Sequence, residues 1–343
     1  MISSLTSLRL FFALLVFVSH LEIIDKSFAK HLFLEGYVGV SFFFILSGFI
    51  IAYNYSDKIA TPSERKNYYI ARIARIYPLH LLTLIAAIAL YGFAVESPIS
   101  WVHLATSTTL TNAYIPRSDF FFTLNAPAWS LCCEQLFYAT FPFVLPFIKK
   151  PAILITIIIT AIAAIIIGAQ ITPEAYIKGV WYVNPITRYP DFIIGIATYY
   201  IYRRIKGCNI GTGVATALET GSILIFLLFY TNSEELPKIY RYSLYYWLPI
   251  VAVILVFALQ KGVLSRILSN KVLIWGGEVS YGIYLVQLLV INTIARHSAE
   301  LSATNGAIVA ITASIFISYI SFKYYEKPMN RIVKRWLGYK KRN

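Results

Sequence analysis

An imidazole and a guanidinium are spaced to share one face of the first apolar stretch of the chain. His20 follows Arg9 by 11 residues. On a helix the two side chains would lie about 20° apart around the axis and about 16 Å apart along it. Arg9 could hold the anionic end of a ligand while His20 acts as a base at the reactive end. The alternative is a histidine that bonds to a neighbouring helix and only packs.

A carboxylate, Glu134, lies near the start of the fourth apolar stretch. Ser130, Glu134 and Tyr138 follow each other at intervals of four residues and therefore share a helix face. Glu134 falls on the order of 12 Å below the outer end of this stretch, a depth similar to that expected for His20. The carboxylate could meet the imidazole across a helix interface and orient or charge it. A link between helices through Tyr or Arg partners is the alternative.

Two arginines, Arg72 and Arg75, precede the third apolar stretch at a spacing that puts them on one helix face. Guanidinium groups bind phosphate oxygens in pairs, so the two could hold a phosphorylated ligand. The plainer interpretation is that they are flanking charges that orient the span. Arg188 and Asp191 have the same spacing, and we expect them to pair with each other.

The ninth apolar stretch carries a polar stripe. Glu278, Tyr281, Tyr284 and Gln287 recur every three residues, and such a stripe must face protein or a cavity rather than lipid. The histidines and cysteines of the chain show no spacing typical of a metal site. We therefore predict a reaction that uses no metal.

The composition says where these residues must lie. Apolar residues make up 58% of the 343 residues and charged residues only 13%, whereas a soluble domain is about 25% charged. Too few polar groups remain to cover a water-exposed surface. This excludes a soluble enzyme, a disordered chain and a nucleic-acid binder, despite the net charge of +14. The sequence predicts an all-α integral membrane protein.

The span count follows from apolar stretches of about 20 residues. With the N-terminus inside, 22 of the 30 Lys and Arg residues fall on the inner side, as the positive-inside rule requires. We predict about ten transmembrane helices with both termini in the cytoplasm, forming one domain over 1–343 whose basic tail, 323–343, contacts anionic lipids. The predicted spans are 8–25, 37–54, 76–95, 126–148, 151–169, 186–202, 211–230, 243–260, 272–294 and 305–322.

Seven short motifs, in order along nearly the whole chain, resemble those of the acyltransferase 3 family of bacterial membrane proteins. The first is an Arg followed after ten residues by a His, which Arg9 and His20 match. The others are GVSFFFILSGF at 39–49, RIARIYP at 72–78, WSLCCEQLFY at 129–138, RYPDFIIG at 188–195, VSYGIYL at 279–285 and EKP at 326–328.

The resemblance implies transfer of an acyl group, usually acetyl, from cytoplasmic acyl-CoA to a hydroxyl of a glycan. The acceptor would be an O-antigen, an exopolysaccharide or a similar surface or exported glycan, possibly lipid-linked, and the enzyme would lie in the bacterial inner membrane. By position, His20 would be the catalytic base and Arg9 would support it. Arg72 and Arg75 would hold the phosphates of acetyl-CoA, and Glu134 would be an acidic partner or a structural member of the site.

Six further positions of these motifs are expected to support the substrate or the site: Trp129, Ser130, Tyr138, Tyr281, Tyr284 and Gln287. The family often has His where this chain has Gln287, so either this position transfers no proton or the acceptor is handled differently. The esterase-like SGNH domain of many members is expected to be absent. The expected partners are acyl-CoA, the glycan acceptor and membrane lipids, with no nucleic acid. The alternative function is a transporter or flippase for lipid-linked sugars.

Overall fold

The computed structural model describes residues 2–28, 30–91, 99–297 and 301–340, and this part of the chain is helical without a β-strand. The long helices are α1 (Ser3–Val18), α2 (Val38–Tyr55), α3 (Pro62–Tyr91), α4 (Trp129–Ile148), α5 (Pro151–Ile171), α6 (Pro185–Ile205), α7 (Thr212–Thr231), α8 (Leu244–Leu259), α9 (Lys271–His297), α10 (Ala303–Ser321) and α11 (Lys327–Trp336). Short helices lie at His31–Leu34, Trp101–Thr108, Ser118–Phe121, Glu174–Ile177, Lys238–Arg241 and Val263–Leu268.

Within the described residues, nine helices are long and apolar enough to cross a membrane, which confirms an all-α integral membrane protein. They are α1 to α5 and α7 to α10, the last continuing into α11. The predicted span at 186–202 corresponds to the 21-residue helix α6, which is not among these nine. Because α6 packs closely along α2, its polar positions are shielded by protein rather than exposed to lipid.

Two helix boundaries differ from those predicted. The helix predicted at 76–95 begins at Pro62, so Arg72 and Arg75 lie inside α3 rather than before it. The first helix ends at Val18, two residues before His20, and two short 3₁₀ turns follow. The expectation that Arg9 and His20 share one continuous helix face is therefore wrong. Residues 92–98, which include the end of the span predicted at 76–95, lie outside the described residues.

Both ends of the described chain lie at the same end of the bundle. The Ser3 amide donates to Gln260 at 2.9 Å, just past α8, and the hydroxyl of Ser4 donates to the Phe257 carbonyl at 2.7 Å. At the other terminus, Asn330 on α11 donates to the Ala74 carbonyl at 2.8 Å. We call the end of the bundle that holds both ends of the described chain the terminal end. The basic tail is thus a helix packed on α3, whereas the cytoplasmic orientation of this end stays a prediction.

A buried ion pair joins three helices at the opposite end. Arg188 and Asp191 are fully buried and 2.7 Å apart, which confirms the predicted pairing. Asp191 also accepts hydrogen bonds from Ser243 at 2.7 Å and from Trp247 at 2.5 Å, both at the start of α8. Arg188 in turn donates to Ser41 on α2 at 2.8 Å. These bonds fix α6 against α2 and α8.

A further carboxylate, Glu219, lies on α7 and forms hydrogen bonds with another segment at the terminal end. It is 1% exposed and accepts hydrogen bonds from the backbone amides of Gly262 at 3.1 Å and Leu264 at 2.9 Å, with a close contact from the Ser265 hydroxyl. Gly262 caps the helix Val263–Leu268 and Leu264 lies in its first turn, where N–H groups lack helical partners. Glu219 therefore links α7 to the connection between α8 and α9.

Candidate active site

A cavity of about 190 Å³ lies between α1, α2, α3, α4 and α9. Its wall is apolar except for polar side chains that belong to the sequence motifs. These polar groups are Arg9, Ser47, Arg72, Arg75, Ser130, Glu134, Tyr138, Ser280, Tyr281 and Tyr284. Five of the helices that carry the motifs thus bring their polar side chains to one place, although these are far apart in sequence.

Arg72 is held between two tyrosine rings. Its guanidinium lies 5.3 Å from the ring centre of Tyr55 and 5.5 Å from that of Tyr138, and it donates to the Tyr55 hydroxyl at 3.2 Å. Its Nε atom is buried without a hydrogen-bond partner. Stacking fixes the plane of the guanidinium, and an N–H group remains to be satisfied. Tyr55 lies outside the motifs, so the sequence did not nominate it.

Arg75 is held more loosely than Arg72 at the same wall. It lies 3.7 Å from the Glu326 carboxylate and 4.7 Å from the ring centre of Tyr281. Tyr281 is itself fixed by donation to the Ile76 carbonyl at 3.1 Å. Because the ion pair is long, Arg75 keeps donor capacity toward the cavity.

Arg9 completes the set of three arginines. Among the residues that the structure describes, it forms no hydrogen bond or ion pair, and it interacts electrostatically with Arg75, Glu134 and Glu326. A fourth cation, Lys334 on α11, approaches Arg72 and Arg75. Lys334 was assigned only to the lipid-contacting tail, since the sequence could not show that α11 folds back onto α3. Positive charge therefore exceeds negative charge around the cavity.

Glu134 faces the arginines and not the imidazole. Its carboxylate accepts from the Tyr138 hydroxyl at 3.0 Å, and that hydroxyl receives a bond from Ser47 at 3.1 Å. Its electrostatic neighbours are Arg75, Arg9 and Arg72. Within the described residues, Glu134 and His20 form no hydrogen bond or ion pair. The structure thus does not bring together the two residues that helix spacing suggested could meet.

His20 lies beyond the cavity wall, next to Gln287. Its imidazole faces the Gln287 amide and the Val16 backbone, and its Nδ1 atom is buried without a hydrogen-bond partner. The nearest positive charge is Lys178, on the segment between α5 and α6. Burial lowers the pKa of Lys178, and the neighbouring Lys238 lowers it further.

The ninth helix connects the cavity to His20. Tyr281 and Tyr284 line the cavity, and Gln287 follows three residues later, about 4.5 Å further along the axis. The Tyr284 hydroxyl lies 3.4 Å from the Pro127 carbonyl, to which Ser130 also donates at 3.0 Å. An extended ligand anchored at the arginines would therefore pass the tyrosines before it reaches the imidazole.

Trp129 supports this wall without lining the cavity. It is 3% exposed and packs against Tyr182, with ring centres 4.7 Å apart, and against Phe44 at 6.0 Å. Its position at the start of α4 fixes the turn from which Ser130 and Glu134 project. In the part of the chain that the structure describes, no group of three His, Cys, Asp or Glu residues could hold a metal ion.

The chain is similar to several known proteins. The chain is 28% identical to the acyltransferase MdmB of Streptomyces mycarofaciens over 97% of this chain and 92% of that protein. It is 28% identical to the peptidoglycan O-acetyltransferase OatA of Listeria monocytogenes over 100% of this chain but 58% of that protein. It is 26% identical to the exopolysaccharide production protein ExoZ of Rhizobium meliloti over 88% of this chain and 92% of that protein.

No solved structure matches the chain. A family model described as an acyltransferase domain matches residues 2–323, which include the three arginines, Glu134, His20 and Gln287. The match ends before Glu326 and before α11, so the contribution of Lys334 lies outside it. The chain belongs to the acyltransferase 3 family.

Proposed function

We propose that this membrane acyltransferase moves an acetyl group from acetyl-CoA, bound from the cytoplasm, to a hydroxyl of a surface or exported glycan. The observation that carries the proposal is the cavity with its three converging arginines. Arg9, Arg72 and Arg75 come from two helices and face a cavity only partly neutralised by Glu134 and Glu326. Keeping such an excess of half-buried positive charge is costly unless an anion binds there.

The donor would bind with its phosphates at the arginines. Coenzyme A carries its negative charge at the end opposite the thioester. Guanidinium groups hold phosphate oxygens in pairs, and Lys334 would add a fourth cation beside Arg72 and Arg75. The positive-inside distribution of Lys and Arg supports a cytoplasmic position for this end. The donor would then enter from the compartment where it is made.

The reaction would take place at His20. The imidazole takes the proton of the acceptor hydroxyl as its oxygen attacks the thioester carbonyl carbon. The carbon–sulfur bond then breaks, and the imidazolium returns the proton to the departing thiolate. No metal is needed, because a thioester is already activated toward an alcohol. Arg9 lies nine residues, or about 14 Å, before the end of α1 at Val18, and His20 follows that end, which suits a donor whose charged and reactive ends are far apart.

The glycan acceptor is inferred from the relatives. Two of them are named for peptidoglycan and for exopolysaccharide, and we propose a glycan of this kind, possibly lipid-linked, at the end away from the chain termini. The enzyme would then lie in the bacterial inner membrane and transfer the acetyl group across it. His20, near that end and close to Lys178, would meet the acceptor there.

The test is transfer of label from acetyl-CoA. Membranes containing the protein are incubated with acetyl-CoA labelled in the acetyl group, and glycan-bound label is counted and located by NMR. Membranes with His20→Ala at equal abundance serve as the control. Label on a glycan hydroxyl with the native protein alone supports the proposal. Movement of a lipid-linked sugar without an acyl donor, and no label on glycan, would instead identify a transporter.

A further inference from the structure

Gln287 is an unusual residue for the interior of a membrane helix. It is 0% exposed, and neither its Oε1 nor its Nε2 atom has a hydrogen-bond partner. Leaving a buried amide unpaired costs about 1–3 kcal/mol. The adjacent positions Leu285 and Val286 are apolar and buried, so packing alone would favour an apolar residue here as well. The amide is therefore better explained by a partner that it meets during the reaction.

The side chain that the amide faces is His20. The imidazole interacts with Gln287, the Val16 backbone and Lys178. The present geometry falls short of a hydrogen bond, but the terminal torsions of Gln and His have broad minima. Rotation about these terminal torsions is therefore the change that would bring the two groups into a hydrogen bond.

His20 needs such a partner because it lies beyond the regular part of α1. It follows the end of α1 and begins a 3₁₀ turn. A histidine base works only when one ring nitrogen is kept unprotonated and aimed at the acceptor, and the bond made by the other nitrogen decides which one that is. Glu134, which spacing suggested for this role, is bonded to Tyr138 instead.

We propose that Gln287 is the positioning residue of His20. Its side-chain oxygen accepts the N–H of one imidazole nitrogen, so that the other nitrogen is free to take the proton of the acceptor hydroxyl. The amide does this without adding a charge to the membrane interior, where an extra carboxylate would be costly. The inference rests on the proposed acetyl transfer and adds to it the group that orients the base.

The experiment compares two replacements of similar size. Gln287→Met keeps the volume but removes the acceptor oxygen, and Gln287→Glu keeps an acceptor oxygen but adds a charge. Gln135→Met is the matched control, because Gln135 lies on α4 and bonds to Tyr77 at 3.0 Å, away from His20. For each purified variant, kcat, the KM for acetyl-CoA and the melting temperature are measured.

If Gln287 positions His20, Gln287→Met should have a lower kcat than Gln287→Glu. If Gln287 only packs, the order of the two kcat values should be the reverse. We expect Gln287→Met to lower kcat about 10–10²-fold, as misplacement of a reacting group does. Its KM should change by less than about twofold and its melting temperature should not fall, because an unpaired amide has been removed. Gln287→Glu should be less stable but should retain a higher kcat than Gln287→Met. Gln135→Met should leave kcat unchanged.

Several results would overturn the inference. Gln287→Met with the native kcat, or a higher kcat for Gln287→Met than for Gln287→Glu, would assign Gln287 to packing. If Gln287→Met does not fold, Gln287→Leu is measured in its place and is expected to show the same loss of kcat. A native protein that transfers no acetyl group would refute the proposed function itself. Native transfer with an inactive His20→Ala and a fully active Gln287→Met would refute only the positioning role.

Discussion

Two groups of charges in the bundle, a fully buried pair and a half-buried set beside a cavity, differ in how their charges balance. At the end away from the chain termini, one cation, Arg188, faces one anion, Asp191, at 2.7 Å. Around the cavity, three arginines face Glu134 and Glu326, and Arg9 has neither a hydrogen bond nor an ion pair within the described residues. A balanced pair holds helices together, whereas an excess of positive charge beside a cavity is suited to an anionic ligand.

The comparison predicts that residues near the cavity can be replaced without unfolding the protein. The largest effect is expected for His20→Ala. A positioned base contributes about 10²–10⁴-fold to rate, so acetyl transfer should fall by that order while the amount of folded protein in the membrane stays unchanged. Transfer per milligram of purified protein is measured beside its melting temperature. Near-native transfer by this variant would show that His20 is not the catalytic base.

Replacing a member of the Arg188–Asp191 pair should instead lower stability and leave binding of the donor intact. Arg188→Met leaves Asp191 buried without its cation, and breaking a buried pair costs about 3–5 kcal/mol. The variant should lose most of its folded yield, seen by thermal melting in detergent, and the fraction that folds should still bind coenzyme A. The double variant with Asp191→Leu should recover part of the stability, because no lone charge remains. A stable Arg188→Met protein that no longer binds coenzyme A would show that the donor binds at Arg188 and not at the three arginines of the cavity.

The smallest effect is expected at Glu219, a carboxylate that serves structure although it lies at the terminal end. Glu219→Gln keeps one acceptor oxygen for the backbone amides of Gly262 and Leu264 but replaces the charge-assisted bonds. We expect a loss of about 1–2 kcal/mol in stability and no change in the KM for acetyl-CoA. A clear rise in KM without a loss of stability would show that the terminal end holds donor contacts beyond the cavity.

Composition and motif order were enough to predict the membrane class and the family. Opposite charges at a spacing of three residues also predicted that Arg188 pairs with Asp191, but spacing alone left open whether Arg72 and Arg75 face a cavity or only flank the span. Sequence spacing fixes which residues share a helix face but not what packs against that face.

The position of His20 shows a second limit of spacing. The angle of about 20° between His20 and Arg9 around the helix axis holds only for a continuous helix, and α1 ends at Val18. The placement of Gln287 beside it depends on how α1 packs on α9, which involves the close approach of Gly277 to the Thr6 carbonyl. Likewise, nothing in the basic tail showed that Lys334 would approach Arg72. Contacts between distant segments arise from packing, and a local pattern does not contain them.

The central claim is that the arginines bind the phosphate end of the donor, and calorimetric titration of the purified protein tests it most directly. Coenzyme A and pantetheine, which share the thiol arm but differ in the phosphates, are titrated into the native protein and into Arg72→Gln/Arg75→Gln. Each lost charged hydrogen bond is worth about 1.5–3 kcal/mol, so the Kd of coenzyme A should rise at least about 10²-fold. The Kd of pantetheine should change by less than about twofold. Equal weakening of both ligands, or an unchanged Kd for coenzyme A in a folded variant, would contradict the account.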